Sequence, residues 1–188
     1  MANKYKFDDH PSRFLVIDTI PENSVCAEIG VLNGDYAEFI LSKNISELHL
    51  IDPWVSMTRI PDRWHAVPQG EMDNFKENVV NRFSSSSNVN IIEKSSAEAS
   101  AMFSDEYFDW LYLDADHSYS AAYQDLLYWW PKLKSGGLLC GNAYLTSAKS
   151  DNILKFGVYA AVQDFCERKL FEIKDIKIHN SQFIIEKK

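Results

Sequence analysis

The chain has 188 residues, 46% of them hydrophobic and 13% aromatic, enough for one domain with a substantial core. Its 19 basic residues stand against 27 acidic ones, a formal net charge of −8, which argues against a nucleic-acid partner because phosphate binding needs a basic face. No apolar stretch approaches a membrane span, and the opening Met-Ala-Asn-Lys-Tyr-Lys does not start a signal peptide; Cys26, Cys140 and Cys166 lack metal spacing, so reduced core thiols in a cytoplasmic protein without a membrane partner are expected.

Apolar runs alternate with helical patterns along the chain. Pro11 opens a short helix carrying Phe14, Leu15 and Ile17, stopped by Pro21. A first strand, Val25–Ile29, leads through a glycine turn into a helix from about Asp35 to Lys43. Leu48–Ile51 reads as the second strand, and a long irregular piece, Pro53–Gly70, follows it. Met72, Phe75, Val79 and Phe83 have helical spacing, and the serines 84–87 form a local polar loop. Val89–Ile92 is a third strand, and Ser95 with Glu98 makes a capping-box pattern for a helix through Phe103.

The mostly apolar run Phe108–Leu113 suits a fourth strand buried on both faces. Ala122, Tyr123, Leu126, Leu127 and Trp130 mark a helix ended by Pro131, and Gly136-Gly137 turns the chain into a fifth strand, Leu138–Cys140. Val158, Ala161, Val162 and Phe165 mark another helix; Phe171–Ile178 and Gln182–Ile185 form a closing hairpin. The expected fold is a Rossmann-like α/β three-layer sandwich, with a mostly parallel seven-stranded sheet and one antiparallel strand from the hairpin. A single domain spanning 1–188 is expected.

Two features point to an adenosine ligand. Residues 27–34 read Ala-Glu-Ile-Gly-Val-Leu-Asn-Gly, a turn in which glycines let the backbone approach a ligand closely. The second strand then ends in Asp52, an acid able to accept bonds from two ribose hydroxyls. The turn has no Lys or Arg nearby and is flanked by Glu28 and Asp35, so a pyrophosphate there would meet carboxylates without a cation. S-adenosylmethionine, which carries adenine and ribose but no phosphate and has a cationic end, suits the turn better, with Glu28 attracting that end.

The order of these elements and motifs, from about Pro21 to Lys187, resembles the class I S-adenosylmethionine-dependent methyltransferases. The run Leu-Asp-Ala-Asp-His-Ser-Tyr119 narrows the likeness to small bacterial O-methyltransferases, including macrocin-type sugar O-methyltransferases. By this resemblance Glu28, Gly30, Val31 and Gly34 hold the methionine end, Asp52 takes the ribose, and Pro53 and Trp54 shape the pocket beside it. Ser95, Ser96 and Ala97 border adenine, and Ser95 also reads as a plain helix cap. Asp114 lies where the methyl group should sit and serves as metal ligand, with His117 as base; Asp116 is an alternative ligand.

The chain departs from that subgroup after the fifth strand. Relatives carry an acid there in a Gly-His-Asp-Tyr setting, whereas this chain reads Gly141-Asn142-Ala143-Tyr144. Asp114 with the neutral Asn142 makes a poor Mg2+ site, since that ion favours charged oxygens, so weak or absent metal dependence is expected. The acceptor is expected to be a small polar molecule contacted from Pro53–Gly70 (Met57, Arg59, Arg63, Trp64, His65) and from the segment Tyr144–Phe156. A homo-oligomer stays open. Two alternatives stand beside an active O-methyltransferase: a cofactor-binding module that has lost catalysis, and a nicotinamide-dependent oxidoreductase.

Overall fold

The computed structural model describes residues 11–56, 67–144 and 157–188. Seven strands form one sheet: β1 (Val25–Ile29), β2 (Glu47–Ile51), β3 (Val89–Ile92), β4 (Phe108–Leu113), β5 (Leu133–Gly141), β6 (Ile173–His179) and β7 (Gln182–Lys187). Their order is β3-β2-β1-β4-β5-β7-β6, with β7 antiparallel to both its neighbours and the strands β1 to β5 paired in parallel.

Helices cover both faces, as a parallel sheet requires. On one face α1 (Pro11–Ile17), α2 (Asp35–Leu41) and α3 (Gln69–Phe83) pack Val16, Tyr36, Ile40 and Val79 against Cys26, Leu48, Leu50 and Tyr112. On the other, α4 (Ser96–Ser100), α5 (Tyr119–Trp129) and α6 (Val158–Arg168) pack Ala99, Trp129, Val162 and Phe165 against Ala27, Ile29, Leu111 and Leu139. The two-residue alternation of a strand produces this split: Cys26 and Glu28 point one way from β1, Ala27 and Ile29 the other.

Some boundaries differ from the sequence expectation for physical reasons. The strand β5 begins at Leu133, ahead of the glycine pair, and Gly136 (φ +76°) sits inside it where the register with β4 shifts. Glycines there make a bulge rather than a turn. The helix α4 stops at Ser100, and Phe103 packs beyond it against His49 and Phe108. In α1 the buried side chains are Ser12, Arg13, Val16 and Ile17, while Leu15 is exposed. The expected hairpin strand starts at Ile173 rather than at Phe171, which is 87% exposed. Among the described residues no helix is long and apolar enough to cross a membrane.

Candidate active site

The strand order reverses between β1 and β4, and open α/β sheets bind ligands outside the carboxyl ends of strands at such a switch point. A cleft of about 290 Å³ lies there. It is walled by Gly30 after β1, Asp52 and Pro53 after β2, Ser95 and Ser96 after β3, Asp114 to Asp116 after β4, and Ala121 and Asp125 from α5. Leu32, Val55 and Met72 add apolar surface.

Glycine is required at the floor of this cleft. Gly30 has φ +91°, and a Cβ on it would lie 2.4 Å from the Asp114 carbonyl oxygen. The close approach is held by the Gly30 N–H bonding Ile51 O at 2.9 Å and the Asp114 N–H bonding Ile29 O at 2.8 Å. Gly34 (φ +78°) turns the chain into α2, its N–H bonding Val31 O at 2.9 Å.

Asp52 lines the cleft and also fastens it. Its Oδ2 accepts the Val31 and Leu32 N–H groups at 2.9 and 3.0 Å, and its Oδ1 accepts the Trp54 N–H at 2.7 Å. These bonds stabilise Leu32 (φ 51°) and Trp54 (φ 45°) in left-handed backbone, a conformation that costs non-glycine residues about 1–3 kcal/mol each. The Trp54 indole is buried outside the cleft, where its Nε1–H donates to Leu32 O at 2.8 Å and locks the loop onto the glycine turn. Ser95 forms the expected capping box with Glu98 and lines the cleft at the same time. Ala97, Val31 and Gly34 stand behind the wall rather than in it.

Glu28 projects to the α1–α2 side of the sheet. It is 2% exposed, and its Oε2 has no hydrogen-bond partner among the described residues. Burial pushes its carboxyl well above the usual range; Asp114 adds to this and the Arg13 guanidinium opposes it.

At the β4 end of the cleft the side chains form a connected corner. Asp114 Oδ2 accepts Arg13 Nη2–H at 2.9 Å; its Oδ1 lies 3.0 Å from His117 Nε2 and accepts Asn142 Nδ2–H at 3.1 Å. Asn142 Oδ1 in turn accepts Gln182 Nε2–H at 2.6 Å, and Gln182 Oε1 accepts the Tyr112 hydroxyl at 2.7 Å. Burial alone would raise Asp114, but Arg13, His117 and Asn142 together hold its carboxyl below the ordinary value. His117 is buried behind Asp114 and lines a second cavity of about 20 Å³ with Asp116, Asp125 and Asn142. Asp116 borders both cavities, and its Oδ1 accepts the Ser118 N–H at 2.8 Å.

The sequence expectation named Asp114, His117 and Asn142, and the structure brings all three together. It missed Arg13. The available signal was a cation on the buried face of α1, spaced with Val16 and Ile17 as a helix face requires. The segments 57–66 and 145–156, including the expected acceptor contacts Met57, Arg59, Arg63, Trp64 and His65, lie outside the described residues.

The corner does not fit Mg2+. The ion would share Asp114 with a guanidinium 2.9 Å away, and Asn142 turns its NH2 toward Asp114 while its oxygen serves Gln182. Ala143, where an acid was expected in relatives, offers no side-chain donor. Among the described residues no three His, Cys, Asp or Glu side chains gather as a metal site.

A Rossmann-like sheet with this strand order, an acid after β2 and a cleft at the β1–β4 switch defines the class I methyltransferase architecture. The chain belongs to the methyltransferase domain family, whose model matches residues 27–144, and is a class I S-adenosylmethionine-dependent methyltransferase. Solved structures share the fold. A protein from Corynebacterium glutamicum superposes with a TM-score of 0.66 at 16% identity, covering 97% of this chain and 82% of its own. A candidate caffeoyl-CoA O-methyltransferase from Staphylococcus aureus gives 0.65 at 19% identity, covering 96% and 85%. A candidate methyltransferase from Streptococcus mutans, solved with S-adenosylhomocysteine, gives 0.62 at 14% identity, covering 98% and 99%. No curated protein matches the chain.

Proposed function

We propose that this chain, acting as one domain, moves the methyl group of S-adenosylmethionine to a hydroxyl of a small polar molecule, sugar-like or natural-product-like. The observation that carries the reading is the charge of the cleft. Asp52, Asp114, Asp116 and Asp125 line it, and among the described residues no Lys or Arg does. Such walls attract a cationic nucleoside and repel a pyrophosphate, which argues against a nicotinamide cofactor.

When bound, S-adenosylmethionine supplies a methyl group on a sulfonium that is already a good leaving group. The protein's part is therefore aim and proton removal. Asp52 takes the ribose hydroxyls, Ser95 and Ser96 border the base, and the Gly30–Gly34 turn receives the methionine end with Glu28 behind it. Asp114, on the cleft wall, accepts the hydrogen bond of the acceptor hydroxyl and takes its proton as the methyl group moves, while His117, 3.0 Å away and off the cleft wall, orients that carboxylate.

A second reading, a cofactor-binding module without turnover, is favoured by one observation: Arg13 already neutralises Asp114. Native mass spectrometry with S-adenosylmethionine, S-adenosylhomocysteine and NAD tests the cofactor. Uptake of the first two and not of NAD is expected, and an Asp52→Ala variant should lose it. An acceptor screen with and without Mg2+ then separates the readings: turnover that His117→Ala abolishes, with cofactor uptake intact, supports the enzyme. Binding without turnover on any acceptor supports the module.

A further inference from the structure

Among the residues that line the cleft stands a buried acid that neither the methyl transfer nor the family likeness employs. Asp125, on α5, is 8% exposed and borders the cleft beside Ser96. The direction of its hydrogen bonding is fixed by its neighbours. An indole N–H can only donate, and that of Trp129 goes to Ser96 Oγ at 2.9 Å. The Ser96 hydroxyl must therefore send its own proton onward, and it donates to Asp125 Oδ1 at 2.5 Å. The other carboxyl oxygen, Oδ2, has no hydrogen-bond partner among the described residues. Burial pushes this carboxyl up to about 7 against the Ser96 bond that lowers it, as happens where no cation accompanies the acid.

An oriented acceptor with one oxygen to spare, in a lining that includes the small side chains of Ala115 and Ala121, suits the edge of a flat, uncharged ring that offers an N–H donor. Its tie to Ser96, which borders the base in the proposed pose, sets it apart from the cationic end of the ligand, which belongs at the glycine turn. We propose that Asp125, oriented by Ser96 and Trp129, selects the base of the cofactor by accepting the 6-amino group of adenine at Oδ2. The proposal rests on the reading of this cleft as the S-adenosylmethionine site. It makes Asp125, which also borders the small cavity beside His117 and Asn142, a specificity residue for the donor.

The test is calorimetric titration of S-adenosylhomocysteine and of S-inosylhomocysteine, in which a carbonyl replaces the 6-amino group. The wild-type protein is expected to prefer the amino form at least tenfold, because a site built to pair a donor rejects an analogue lacking it. In Asp125→Asn the amide oxygen keeps the Ser96 bond and its NH2 replaces the acceptor. Affinity for the amino form should fall about tenfold while the 6-oxo form gains, so that the preference collapses or inverts. Ser96→Ala, which frees the carboxyl to turn, should reduce the preference less, and serves if the asparagine variant does not fold. Equal affinities in the wild type, or an unchanged ratio in Asp125→Asn, overturn the proposal and leave the cofactor reading standing. Failure of the wild type to bind either compound overturns both.

Discussion

The cleft proposed for the cofactor and the Asp114 corner share one wall, yet they manage their acids in opposite ways. Along the cleft, carboxylates are held by neutral donors: Asp52 by backbone N–H groups, Asp116 by the Ser118 N–H, Asp125 by a serine hydroxyl. In the corner, Asp114 is held by a guanidinium. Neutral donors satisfy an acid's hydrogen bonding without cancelling its charge, so the cleft still draws a sulfonium or ammonium. A guanidinium cancels the charge and takes away the incentive for a metal ion. The same residue type thus serves attraction in one place and positioning in the other.

The largest way to break this contrast is to remove the cation. Arg13→Leu strands a buried carboxylate and should cost about 3–5 kcal/mol in urea unfolding, whereas Arg13→Leu combined with Asp114→Asn should recover much of that loss. If the single variant unfolds like the wild type, the ion pair is not what holds the corner.

Next comes the pH dependence of the cleft. The Asp125 carboxyl moves from 3.8 to about 7 on folding, so the native state binds its proton more tightly than the unfolded chain does. The stability from this group is fully present below about pH 3.8 and is lost as the pH rises toward 7, on the order of 3–4 kcal/mol in all. The difference between the wild-type and Asp125→Asn stability curves should show this slope, since Glu28, raised in the same sense, is common to both. Asp114 is depressed and acts oppositely, its contribution being lost only in acid. A flat difference across that window would remove Asp125 from the account.

Asp52→Asn keeps one acceptor oxygen and gives up the other. S-adenosylhomocysteine affinity is expected to fall about tenfold, the equivalent of one charge-assisted hydrogen bond, when measured by calorimetry. The smallest effect belongs to Ala143, which sits in left-handed backbone (φ 60°) at the position where relatives were expected to carry an acid. Ala143→Gly relieves that conformation and should raise stability by about 0.5–1 kcal/mol; thermal unfolding that moves downward instead would show that the methyl group's packing outweighs the strain.

How much of this was legible in the sequence follows the range of the interactions. Strands β1 to β4 and the Ser95–Glu98 capping box were readable because apolar runs and cap spacing are local properties. The Gly30 turn was readable because only glycine tolerates its φ and its closeness to Asp114. Asp114, His117 and Asn142 fell together because motifs place them at neighbouring strand ends. Arg13 escaped because its partner is 101 residues away and its local mark, a cation spaced with Val16 and Ile17, names no partner. Asp125 escaped because its meaning depends on Ser96 and Trp129, which meet it only when α4 packs on α5. The start of β5 was misjudged because a glycine pair signals a turn and a bulge equally well.

The family match spans 27–144, yet two members of the Asp114 corner, Arg13 and Gln182, come from outside it, from the first helix and the last strand. The described walls of the proposed donor pocket all lie within the recognised segment, while the groups that set the acid beside it reach in from its flanks. Swapping these flanks between relatives is accordingly a route to retuning the chemistry without touching the nucleoside-holding core.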